Sequence, residues 1–66
     1  MKIVFNGKER QAREGQTLLE LCDELGIKAE GAAAACSGEI VPKGSWKDFV
    51  LKDGMEIDVF SLVAGG

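Results

Sequence analysis

The chain has 66 residues, of which 45% are hydrophobic and 29% are charged, and its net charge is −3. These ordinary globular values argue against a disordered chain, and the longest apolar run, residues 32–36, is far shorter than the ~18 residues that a membrane-spanning helix needs. The eight basic residues are scattered and form no stripe with interleaved aromatic side chains, which argues against nucleic acid as a partner.

The chain begins with two predicted strands joined by a tight turn. Residues 2–5 alternate in polarity, with Ile3 and Phe5 on one face. Asn6-Gly7 follows, and both residues tolerate the positive φ that a type I′ hairpin turn requires. Residues 8–13 are predicted to return as a polar strand at an edge of the sheet, where charges discourage pairing with other molecules.

The next segment has the period of an amphipathic helix. Thr17, followed three residues later by Glu20, predicts a capping box, and Gly26 predicts a left-handed stop. The apolar stripe consists of Leu18, Leu21, Cys22 and Leu25.

The alanine-rich segment Ala32–Cys36 fits either a buried strand or the middle of a helix, because alanine favours helix. Ser37-Gly38 behind it and the β-branched pair Ile40-Val41 beyond favour a strand, a turn and a short strand.

Residues 42–50 are predicted to form a loop with one irregular turn that Ser45 caps. Trp46, Phe49 and Val50 are predicted to point inward from this loop. Asp53-Gly54 predicts a further turn before the last strand.

The last strand is predicted over Glu56–Val63, with Ile57 and Val59 facing the helix. Phe60 and Leu62 then lie on a face exposed to water, next to the C-terminus, and form a candidate docking surface. The alternative is that neighbouring loops cover both side chains.

The element order is strand, strand, helix, strand, short strand, strand. One helix against one sheet is the two-layer α+β arrangement that a single domain of residues 1–66 can support. The order suggests a β-grasp fold with a mixed sheet of four to five strands, although it leaves other α+β topologies open.

Few residues in this sequence offer chemistry. Cys22 and Cys36 form no C-x-x-C pair, and the chain has no histidine to complete a metal site, so no metal site is expected. The N-terminal residues show no secretion signal, so we expect a cytoplasmic protein with two reduced thiols rather than a disulfide.

The sequence finishes on Ala64, Gly65 and Gly66, which are expected to form a flexible tail. Glycine has no Cβ, so such a tail fits a narrow channel and presents an unhindered carboxylate to another protein. That carboxylate is a group that ATP can adenylate and that a sulfur or nitrogen nucleophile can then attack. The alternative is an inert tail. We therefore expect a carrier or co-substrate rather than an enzyme.

Several short segments, in this order and spacing, resemble the ThiS family of sulfur carriers from thiamine biosynthesis. The likeness covers nearly the whole chain. Its segments are IVFNG (Ile3–Gly7), GQT (Gly15–Thr17), GAAAA (Gly31–Ala35), IVPKGSW (Ile40–Trp46), DG (Asp53-Gly54) and VFSLVAGG (Val59–Gly66).

The resemblance implies a ubiquitin-like β-grasp fold and a strand over Ala32–Cys36. It implies that an E1-like adenylating enzyme, using ATP and magnesium, activates the carboxylate of Gly66. Sulfur drawn from cysteine by a cysteine desulfurase, or from another donor, then gives a thiocarboxylate, which a thiazole synthase consumes. Neither ATP nor magnesium is expected to bind this chain, which we expect to be a monomer when free. The partner-binding residues implied are Phe60, Leu62, Val63, Ala64 and Gly65.

One departure from the family pattern is Ser37, where asparagine is frequent, and serine also suits a turn. Three other functions stay open at this point. They are the small subunit of molybdopterin synthase, a ubiquitin-like protein modifier and a β-grasp interaction module with an inert tail.

Overall fold

A computed structural model describes residues 1–61 of the chain. Its strands form one sheet in the order β2-β1-β5-β3-β4, in which β1 and β5 are parallel and the other neighbours are antiparallel. This is the mixed sheet of a β-grasp fold and confirms the α+β prediction. The elements are β1 (Lys2–Phe5), β2 (Lys8–Gln11), α1 (Leu18–Glu24), β3 (Ala32–Cys36), β4 (Glu39–Val41), a short 3₁₀ helix (Lys43–Ser45) and β5 (Glu56–Ser61).

Both predicted hairpins form, and each has a two-residue turn in the left-handed region. Asn6 and Gly7 have φ values of 51° and 81°, so the backbone reverses between β1 and β2 as a type I′ turn requires. Ser37 and Gly38, with φ values of 50° and 85°, join β3 to β4 in the same way. The strand β2 lies at the edge of the sheet, as its charges predicted.

The helix α1 begins and ends where the sequence predicts. The side-chain oxygen of Thr17 accepts from the backbone N–H of Glu20 at 3.2 Å, and Glu20 Oε1 accepts from the backbone N–H of Thr17 at 2.9 Å. This capping box satisfies N–H groups that the first turn leaves without partners. Gly26, with a φ of 74°, follows the last turn.

The core lies between α1 and one face of the sheet, and the loop after β4 closes it. Trp46 is fully buried, and its Nε1 donates to the carbonyl of Val41 at 2.9 Å. Among the described residues, every buried side-chain nitrogen or oxygen has a hydrogen-bond partner. The largest fully buried side chains are Trp46, Ile3, Leu18, Leu51, Ile57 and Cys22.

Two predictions for the loop after β4 are wrong. Ser45 makes no capping hydrogen bond with its side chain, because it is the last residue of the 3₁₀ helix rather than the residue before it. Its backbone N–H donates to the carbonyl of Pro42. Val50 points outward, because a bridge with Thr17 holds it extended between Phe49 and Leu51. Successive side chains of an extended segment alternate, so Leu51 enters the core instead.

Candidate functional site

The strand β5 has the phase that the sequence predicts. Ile57 and Val59 are buried against the helix side, whereas Glu56, Asp58 and Phe60 are exposed on the opposite face. Phe60 keeps 46% of its surface accessible, so no loop of the described part of the chain covers it fully. The other predicted site residues, Leu62, Val63, Ala64, Gly65 and Gly66, lie outside the described residues.

Phe60 belongs to a larger apolar surface that the sequence analysis did not identify. It lies directly opposite Ala33 on β3, and Ala35 on the same face of β3 lies opposite Ile40 on β4. Ile40 is 66% exposed. We call Ala33, Ala35, Ile40 and Phe60 the outer apolar surface; Ala35 itself is buried, so the accessible area comes from the other three. The alternation of side chains along β4 could have indicated that Ile40 is exposed. The sequence does not reveal that Ile40 and Phe60 share a face, because the two residues lie far apart along the chain.

Acidic side chains border the outer apolar surface. Asp58 pairs with Ala35, and Glu56 pairs with Val4 on β1, so both carboxylates lie on the same face as Phe60. Both are exposed. A partner that covers Phe60 therefore meets negative charge along β5, which favours a surface that combines apolar and basic groups.

A side chain from the first hairpin holds the backbone of β5 next to Phe60. Asn6 Nδ2 donates to the carbonyl of Val59 at 3.2 Å, and the N–H of Val59 donates to Asn6 Oδ1 at 2.8 Å. The sequence indicated Asn6 only as a turn residue. No local pattern could have revealed this contact, because the two residues are 53 positions apart.

The two thiols of the chain differ in burial. Cys22 and Cys36 are both free, as predicted. Burial raises the pKa of the Cys22 thiol, so the thiol stays protonated and weakly nucleophilic. Cys36 is half-buried and packs against the core.

The described residues contain neither a cluster of metal ligands nor a membrane-spanning helix. Within residues 1–61, no group of three or more potential ligand side chains is placed to hold a metal ion. In the same part of the chain, no helix has the length and apolar character needed to cross a membrane.

The chain is similar in sequence and in fold to one known family. The sequence profile of the ThiS family matches residues 3–66. The chain belongs to the ThiS family. It is 39% identical over 66 residues to the protein named sulfur carrier protein ThiS from Escherichia coli K12, and the match covers all of both chains.

Two further relatives of this ThiS-family chain extend the comparison. It is 35% identical over 66 residues to a protein of Paramagnetospirillum magneticum named thiazole synthase, but it spans only 20% of that protein's length. The crystal structure of the thiamine biosynthesis protein ThiS from Geobacter metallireducens matches with a TM-score of 0.84 at 25% identity, over the whole of both chains. Sequence and fold therefore agree on the family.

Proposed function

We propose that this chain is a sulfur carrier of thiamine biosynthesis, with the carboxylate of Gly66 as the group that carries sulfur. The observation that supports this most directly is the match to the Escherichia coli sulfur carrier, because it extends over the full length of both chains. The fold adds that Phe60, close to the tail in the sequence, is exposed on the outer face of β5.

The proposed chemistry takes place on the tail rather than in a site of this chain. An oxygen of the Gly66 carboxylate attacks the α-phosphorus of ATP, and pyrophosphate leaves. A sulfur nucleophile, which is a persulfide where a cysteine desulfurase is the donor, then attacks the acyl carbon, and AMP leaves. The acyl disulfide that a persulfide forms is reduced by a thiol such as excess cysteine, which becomes a disulfide and releases the thiocarboxylate. The net result on this chain is one carboxylate oxygen replaced by sulfur. An E1-like adenylating enzyme binds the ATP and magnesium, so this chain acts as co-substrate rather than as an enzyme.

Each part of the tail has a separate role in this proposal. Val63, Ala64 and Gly65 enter the narrow channel of a partner, where glycine allows a close approach to its backbone. Phe60 and Leu62 contact the surface around that channel. The exposure of Phe60 and its continuity with Ile40's face support the first of these two contacts.

A thiazole synthase is the proposed acceptor of the sulfur. In the Paramagnetospirillum protein of that name, a segment like this chain is part of a polypeptide five times as long. Covalent linkage of two modules raises their effective concentration, which is useful when the modules act on each other. We propose that the present chain makes the corresponding contact as a separate protein, a monomer of the cytoplasm.

The intact mass tests the proposal. The purified chain is incubated with ATP, magnesium, an adenylating enzyme, a cysteine desulfurase and cysteine. We expect the mass to rise by the difference between one sulfur and one oxygen, with the change confined to the C-terminal peptide that contains Gly66. Gly66→Ala is the matched control and should be converted poorly, because its side chain hinders attack at the acyl carbon.

An unchanged mass, with the Escherichia coli carrier converted in a parallel reaction, would contradict the proposal. Adding a thiazole synthase to the converted chain then tests the acceptor. The mass should return to its original value as the sulfur leaves, and retention of the sulfur would argue for a different acceptor.

A further inference from the structure

The end of β5 lacks a neighbouring strand on one side. The strand β1 pairs with β5 only at Val4 and Phe5, and the chain then turns away at Asn6. The last backbone hydrogen bond between them runs from the N–H of Asn6 to the carbonyl of Ile57, at 2.8 Å. Beyond this point, β5 would present unpaired peptide groups on the β1 side, although it still pairs with β3 as far as Ser61.

The amide of Asn6 takes the place of the missing strand. It donates one hydrogen bond to the carbonyl of Val59 and accepts one from the N–H of the same residue. Val59 itself is buried, so losing both partners would leave peptide groups poorly solvated. A single side chain therefore extends the hydrogen bonding of β5 by one residue on this side.

This double contact requires asparagine. Asn6 has a φ of 51°. Apart from glycine, asparagine and aspartate are the residues that tolerate this left-handed conformation best. Glycine would keep the turn but would make neither hydrogen bond. Aspartate would keep the acceptor but would set a second acceptor oxygen against the Val59 carbonyl, because a carboxylate has no donor.

We propose that Asn6 is a positioning residue for the sulfur-carrying tail, a role that rests on the function proposed above. By holding the backbone of Val59, it fixes the part of β5 that directly precedes the tail in the sequence. Only five residues follow Ser61, so even when fully extended they reach about 18 Å. The point of departure therefore limits where the carboxylate of Gly66 can be delivered.

The expected consequence is a change in how well the tail is captured, not in the chemical step. Without Asn6, residues 59–61 lose one of their two lateral supports, and the partner must order them on binding. Ordering one additional residue corresponds to roughly a tenfold rise in KM. Once the tail is bound, the adenylated carboxylate is the same, so kcat should stay within about twofold of the wild-type value.

Two variants separate the contact from the turn. Asn6→Gly removes both hydrogen bonds and keeps a residue suited to positive φ, whereas Asn6→Asp keeps the acceptor alone. Thr17→Ala is the matched control, because it removes the helix cap and so lowers stability without touching β5. All of them should be folded at the assay temperature, as a far-ultraviolet circular dichroism melt would establish.

The first measurement is amide hydrogen exchange in the free protein. In Asn6→Gly the Val59 amide should exchange at least about tenfold faster than in the wild-type chain. The Ser37 amide, which donates to the carbonyl of Glu56 on the other side of β5, is the internal reference. Asn6→Asp should retain much of the protection of Val59. Unchanged exchange at Val59 in Asn6→Gly would overturn the proposal.

The second measurement is the rate of adenylation, which is monitored through the pyrophosphate released. We expect KM for the carrier to rise about tenfold in Asn6→Gly, less in Asn6→Asp and not in Thr17→Ala. An equal rise in Thr17→Ala would reduce Asn6 to a general stabilising role. If the wild-type chain is not adenylated while Asn6→Gly still loses protection at Val59, the proposed function fails and Asn6 fixes β5 for another purpose.

Discussion

Replacing Phe60 by lysine tests whether the outer apolar surface is the docking surface for the adenylating enzyme. The ring lies on the face of β5 opposite the core, so its removal leaves Ile57 and Val59 in place. The lysine stem can cover Ala33, the residue opposite, and its ammonium group has Asp58 on the same face. The variant is therefore expected to fold.

The size of the effect follows from the exposure of the ring. A phenylalanine side chain buries about 150–250 Å² when fully covered, and with 46% still accessible, roughly 70–115 Å² remains for a partner to bury. At ~25 cal/mol per Å² this is worth about 2–3 kcal/mol. Incomplete coverage by the partner reduces it to about 1.4–2 kcal/mol, which is a ten- to thirtyfold loss of affinity.

The assay is binding of the adenylating enzyme to the carrier, measured by isothermal titration calorimetry, with Val50→Lys as the matched control. Val50 is 45% exposed, nearly the same as Phe60, but it lies in the loop that bridges to Thr17. Val50→Lys should bind like the wild-type chain. If Phe60→Lys also bound with unchanged affinity, or if both variants lost affinity equally, the outer apolar surface would not be the docking surface.

Three further predictions concern stability, each measured as the free energy of unfolding in urea. Trp46→Phe should lower it by about 2–4 kcal/mol, because the buried Val41 carbonyl loses its donor and a cavity opens; a loss below about 1 kcal/mol would contradict this. Ser37→Asn should raise it by several tenths of a kcal/mol, since asparagine tolerates the φ of 50° better; a loss would show that the serine hydroxyl matters. Burial raises the pKa of the Cys22 thiol, so above about pH 8.5 the unfolded chain loses that proton before the folded chain does, and stability should fall with rising pH until the raised pKa of the folded chain is reached. Cys22→Ala should flatten that decline, and an unchanged slope would assign it to other groups.

Features that depend on neighbouring residues could be predicted from the sequence. The turn at Asn6-Gly7 and the capping box of Thr17 and Glu20 each need only two residues at a fixed spacing, and both form as predicted. The phase of β5 was predictable for a related reason. The acidic residues mark one face of the strand as exposed, which leaves Ile57 and Val59 on the core face. Because side chains alternate along a strand, Phe60 falls on the exposed face with the acidic residues.

Features set by distant contacts were missed or predicted wrongly. Val50 looked suited to the core, but its bridge to Thr17 turns it outward and places Leu51 inside. The exposure of Ile40 on the face of Phe60 depends on the strand order of the sheet, with β3 between β4 and β5. The contact of Asn6 with Val59 joins residues far apart in the sequence. It was missed because the turn at Asn6-Gly7 already explained why an asparagine stands at this position.

The outer apolar surface and the contact of Asn6 meet at two adjacent residues of β5. The backbone of Val59 is held by Asn6 and its side chain lies in the core, whereas the next side chain, Phe60, points to the outer face. In a strand, a shift of one residue would exchange these two faces. The contact at Asn6 therefore opposes a slip that would bury Phe60 and expose Val59. A partner that recognised the ring of Phe60 would therefore meet β5 in one fixed register.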